Sequence, residues 1–135
     1  MTLNEEASRA GVQRKGRERT RHVVATRDEF APGQRRIVKV GRREVGVFRI
    51  GDDLHALANI CPHHLGPLCL GMLTSEMVGG PDRSYRLENE GMILRCPWHQ
   101  FEFDIRTGRN LADGEKYRVA VYPARWEGEK AVVYV

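Results

Sequence analysis

Two short boxes, Cys61-Pro62-His63-His64 and Cys96-Pro97-Trp98-His99, decide how this chain is read. The first runs Cys-x-His and the second Cys-x-x-His. Each offers one thiolate and one imidazole, and each sets a proline beside its cysteine. A single zinc ion would take these four donors tetrahedrally, but structural zinc sites usually use a Cys-x2–4-Cys knuckle, which neither box contains. Two irons could instead divide the set, both cysteines on one and both histidines on the other.

Leu65-Gly66-Pro67-Leu68 follows the first box and Phe101-Glu102-Phe103-Asp104 follows the second. With these flanks the pair resembles the Rieske [2Fe–2S] ferredoxin family, above all the small ferredoxin components of bacterial ring-hydroxylating dioxygenases. The likeness runs from about Val23 to Val135. It implies an all-β Rieske iron–sulfur fold, with an antiparallel β-sandwich base and an inserted cluster-binding subdomain at about residues 60–112. It implies one Rieske-type [2Fe–2S] cluster per chain. Cys61 and Cys96 would hold an inner iron, and His63 and His99 an outer iron near the surface.

Such a ligand set has electronic consequences. Neutral imidazoles in place of two thiolates remove negative charge, so the cluster accepts an electron more readily. Rieske centres lie at about −150 to +300 mV, against about −400 mV for all-cysteine plant-type clusters. High-potential respiratory members carry a serine two residues after the second histidine and a tyrosine four after it, both donating near cluster sulfur. Phe101 and Phe103 stand there and donate nothing, which implies a low potential within the range. The respiratory type also joins its boxes by a disulfide. Trp98 occupies the second-box position, so that bridge cannot form.

His64 competes with His63 as a ligand; the Cys-x-His gap and the family pattern favour His63. Cys69 reads as a small buried thiol. Trp98 reads as a shield for the cluster, and His22 and His55 as structural or exposed. Three departures from the family stand out. The spacer between His63 and Cys96 is 32 residues (64–95) and longer than usual, with the excess near Thr74 to Gly91. It reads as an added hairpin or loop turning at Gly79-Gly80-Pro81-Asp82. Gln100 replaces a common glycine and would be strained if its φ is positive. Leu111-Ala112-Asp113-Gly114 lacks a covering proline, which implies a looser lid.

Strand-like runs surround the boxes. They are His22–Ala25, Arg36–Val40, Glu44–Ile50, Leu54–Ile60, Met92–Arg95, Phe101–Ile105, alternating residues through Tyr117, Val119 and Val121, and a final hairpin of Ala124–Glu127 with Ala131–Val135. Turns fall at Gly41, Gly51-Asp52-Asp53, Thr107-Gly108 and Gly128-Glu129. This spacing argues for an antiparallel sandwich or small barrel, with both boxes on loops after strands. Neither a long amphipathic helix nor a repeat is present.

At 135 residues the chain suits one domain with a modest core. The formal net charge is +4. Residues 1–21 hold six basic and three acidic side chains, and so read as a basic, flexible tail ahead of a domain at 22–135. No aromatic is interleaved with these charges, so binding of nucleic acid is not expected. No apolar run approaches a membrane span, and no secretory signal is visible. Three cysteines in a chain without an export signal favour a metal site in the cytoplasm over a disulfide framework.

The resulting expectation is an electron carrier rather than an enzyme, passing single electrons from a flavin-containing reductase to a terminal oxygenase. A terminal oxygenase would itself need mononuclear iron held by two histidines and a carboxylate, and no histidine follows His99. Two other readings stay open. One is a small Rieske subunit of a larger oxidoreductase such as a nitrite reductase. The other is an iron–sulfur redox sensor.

Overall fold

A computed structural model describes residues 18–63 and 65–135. Most of the basic tail and the rival ligand His64 therefore lie outside the described residues. Ten strands follow in order: β1 (Arg21–Thr26), β2 (Arg35–Val40), β3 (Arg43–Ile50), β4 (Asp53–Ala58), β5 (Met72–Gly79), β6 (Tyr85–Arg95), β7 (Glu102–Asp104), β8 (Val121–Tyr122), β9 (Ala124–Glu127) and β10 (Lys130–Tyr134). The helices of the described residues are two short 3-10 turns, Arg27–Glu29 and Leu68–Leu70. No helix among them is long and apolar enough to cross a membrane.

The strands form three antiparallel sheets, β1-β10-β9, β2-β3-β4-β8 and β5-β6-β7. The all-β expectation holds. The period-2 alternation of a strand explains how the middle sheet serves two cores at once. On β3, Val45 and Val47 pack into one core with Phe30, Ala56, Ala131 and Val133. Phe48, on the other face, joins Leu57, Leu68, Leu94, Phe103 and Ile105 in a second core. Cys61, Cys69 and Cys96 belong to that second core alone. The first core is thus the base, and the second carries the boxes. Fully burying side chains of this size stabilises by about 1.5–3 kcal/mol each.

Arg49 breaks the apolar pattern of β3 and is nevertheless buried. Its guanidinium donates to the Phe30 carbonyl at 2.7 Å, to the Gly51 carbonyl at 2.8 Å and to Asp52 at 2.7 Å. Each of these bonds satisfies a donor that would otherwise cost stability inside the protein.

Several elements depart from the sequence expectation. Arg21 opens β1, and Thr20 already exchanges hydrogen bonds with Val135. The last residues of the expected tail therefore belong to the base sheet. The run through Tyr117 and Val121 is a strand only at Val121–Tyr122. Before it, Val119 donates to Gly108 and an isolated bridge joins Arg109 to Arg118. The long spacer is a hairpin, β5 with β6, turning where Gly80 N–H donates to the Ser84 carbonyl. Its register slips between Thr74 and Glu76, opposite a bulge that includes Asn89 and Gly91. Asn89 Nδ2 donates to Glu76, and Arg106 donates to Asn89 Oδ1 at 2.7 Å. A bulge of this kind re-aims the strand beyond it.

Candidate metal centre

The two boxes are the tips of two loops that close on themselves. In the first, Cys61 N–H donates to the Gly66 carbonyl and Leu65 N–H donates back to the Cys61 carbonyl. In the second, Cys96 N–H donates to the Phe101 carbonyl. β4 leads into the first loop, and β6 and β7 flank the second. The tips touch. A Cβ on Gly66 would lie 2.8 Å from the Trp98 ring, so only glycine lets that indole seat against the first loop. Trp98 is half exposed and serves as a bracket between the loops.

The closure of the second loop needs left-handed backbone at two consecutive residues, His99 at φ 64° and Gln100 at φ 61°. The strain expected at Gln100 is therefore present. Side chains adopt this region at a cost of roughly 1–2 kcal/mol each.

Within this frame the four candidate donors sort by chemistry. Cys61 and Cys96 are buried, at 1% and 0% exposure. Burial first, and the neighbouring Cys61 thiol, hold the Cys96 thiol above its ordinary range, against a hydrogen bond from the Trp98 backbone that lowers it. His63 is half-buried and His99 exposed. Their rings sit edge to face, with centroids 5.1 Å apart and planes at 83°. Thiol therefore lies by thiol on the inside, and ring by ring towards the outside.

That sorting fits a two-iron cluster, with thiolates for one iron and imidazoles for the other. Cys69 is also fully buried, but its thiol points at the Leu57 and Ala58 carbonyls, 3.6 Å from each. Burial pushes its pKa up to about 12. His55 is half-buried on β4, away from the boxes, with its pKa lowered by burial.

The aromatic packing around His63 had no signature in the sequence. Phe101 stacks on the His63 ring at 3.9 Å and 11°. Tyr117 meets that ring edge-on at 5.9 Å. The expected loose lid is instead pinned: Asn110 Oδ1 accepts from Ala112 and Asp113 N–H, and its Nδ2 donates to the Glu102 carbonyl. Beside His99, an open cleft of about 830 Å³ runs towards the spacer hairpin, lined by Met77, Leu87, Phe101 and Leu111.

A β-fold presenting inner thiols and outer imidazoles on two loop tips defines an iron–sulfur electron-transfer domain. Residues 20–123 match the Rieske [2Fe-2S] domain family, and the chain belongs to that family. Its cofactor is accordingly a Rieske-type [2Fe–2S] cluster. The chain is 31% identical to the ferredoxin subunit of anthranilate 1,2-dioxygenase from Burkholderia cepacia, across 77% of this chain and 82% of that one. The ferredoxin of carbazole 1,9a-dioxygenase from Nocardioides aromaticivorans superposes with a TM-score of 0.62 at 29% identity, covering 84% of this chain and 96% of that one. A Mycobacterium tuberculosis chain, provisionally named as the small subunit of an NADH-dependent nitrite reductase, shares the fold with a TM-score of 0.66 at 21% identity, covering 87% and 96%.

Proposed function

We propose that this protein is a low-potential one-electron carrier between a flavin-containing reductase and a terminal oxygenase. In this reading Cys61 and Cys96 hold the inner iron, and His63 and His99 hold the outer iron. The bound cluster supplies one reversible electron. The chain's own residues do the rest. The second core keeps water from the thiols, the Trp98 bracket fixes the spacing of the two tips, and His99 offers an exposed ring edge to a docked partner.

The observation that carries the reading is the sorting of donors, with buried thiols on one side and an exposed imidazole on the other. The oxygenase and reductase partners are inferred from the dioxygenase ferredoxin relatives, which favour a carrier over a fixed subunit. Phe101 and Phe103 place no hydroxyl near the site, which supports a potential in the lower part of the Rieske range.

Iron and sulfide analysis with electron paramagnetic resonance of the reduced protein tests this. Two irons and two sulfides per chain, a rhombic signal and a one-electron midpoint below zero are expected. His63→Ala and His99→Ala should each abolish the signal, and Cys69→Ser should keep it. A midpoint clearly above zero, or a signal surviving His63→Ala, overturns the potential or the ligand assignment respectively.

A further inference from the structure

The two outer imidazoles sit in different surroundings. His63 has the Phe101 ring flat against it, with centroids 3.9 Å apart and planes at 11°. Tyr117 closes the arrangement, edge-on to His63 at 88° and edge-on to Phe101 at 5.2 Å and 80°. The three rings form one packed group. His99 is exposed and touches His63 edge to face.

The group is built on anchored backbone. The Phe101 carbonyl accepts from Cys96 N–H, inside the loop that carries His99. Tyr117 is tied at both ends, its N–H donating to the Asp113 carbonyl and its carbonyl accepting from Asn110 N–H. Asn110 in turn is buried and holds the lid. A stacked and edge-on aromatic arrangement restricts ring rotation and displaces water from the faces it covers.

We propose that Phe101 and Tyr117 are positioning residues that clamp the His63 ring, fixing its plane and shielding it, so that it is the more covered of the two outer imidazoles. This rests on the ligand assignment above.

The holoprotein tests it without any partner. Phe101→Leu and Tyr117→Leu remove a ring while keeping apolar bulk; Phe101→Trp and Tyr117→Phe keep a ring. Two readouts are used, the g-values of the reduced signal and the rate at which a ferrous chelator bleaches the cluster. Both leucine variants should shift the g-values and bleach roughly two- to tenfold faster, from the worth of an aromatic pair. Both ring-retaining variants should stay near wild type. Leucine variants that match wild type in both readouts overturn the clamp. So do ring-retaining variants, folded by circular dichroism, that behave like the leucine ones. If Phe101→Leu fails to fold, the two Tyr117 variants decide. Failure of the ligand assignment is distinguishable, because His63→Ala would then keep the rhombic signal.

Discussion

Gly46 and Cys69 meet across the seam between the base and the box-bearing half. A Cβ on Gly46 would fall 2.5 Å from both the Cβ and the Sγ of Cys69. β3 therefore needs bare backbone at this position to let the Leu68–Leu70 turn seat against it. Arg35 reinforces the seam from the neighbouring strand, donating to the Cys69 and Gly71 carbonyls.

Gly46→Ala should destabilise the protein by about 1–3 kcal/mol, the usual cost of overpacking a filled interior. Thermal unfolding followed by circular dichroism measures it. Adding Cys69→Ala should recover part of the loss, because it removes the Sγ clash and leaves the Cβ one. Purely additive effects would mean that the two residues do not interact.

The buried thiol makes a pH prediction. Folded Cys69 has its pKa pushed from 9.0 to about 12 by burial. Its unfolded counterpart loses a proton near the ordinary value, so the unfolded state binds fewer protons between these limits. The contribution is fully present below pH 9 and is lost as the pH rises through about 12. The stability advantage of wild type over Cys69→Ala should therefore shrink across that window. Iodoacetamide should leave native Cys69 unmodified at neutral pH, whereas ready labelling would contradict its burial.

Gln100→Gly should stabilise. It relieves a side chain at φ 61° and adds chain entropy to the unfolded state, leaving a net gain of about 0.5–1 kcal/mol. A rise of a few degrees in melting temperature, with the reduced-state signal unchanged, is the expected result. A fall would show that Gln100 makes a compensating contact.

Asn89→Gly keeps the left-handed backbone at φ 52° but removes the hydrogen bonds to Glu76 and Arg106. Amide exchange within Glu76–Glu88 should then quicken by up to roughly tenfold, from the net worth of such bonds. Exchange in β3 and β4 should not change. Unaltered exchange in the hairpin would mean that the bulge alone sets its direction.

The sequence showed most of the scaffold because strand patterns and turns are local. The alternation Val45, Val47 against Phe48 is visible in a short window, and so are the Gly41 and Gly51 turns. The boxes were legible for the same reason, as each donor pair lies within four residues. The excess spacer announced an added hairpin or loop through its length and its Gly79-Gly80-Pro81-Asp82 turn. Contacts between distant segments left no such trace. Tyr117 alternates with its neighbours as a strand residue would, yet its ring ends against His63 because Asn110 pins the intervening loop. Arg49 looks like an exposed strand residue until the Phe30 and Gly51 carbonyls are seen converging on it. The pinned lid escaped notice because Asn110 acts through its own side chain, where a proline would have been visible as a residue type.

The exchange of hydrogen bonds between Thr20 and Val135 sets these two residues side by side on a sheet that holds none of the four donor residues. An anchor attached there, whether an affinity tag, a fused enzyme or a linker to gold, would leave the loop tips unencumbered. Immobilised through Val135, the domain should exchange electrons with dissolved mediators as freely as it does in solution.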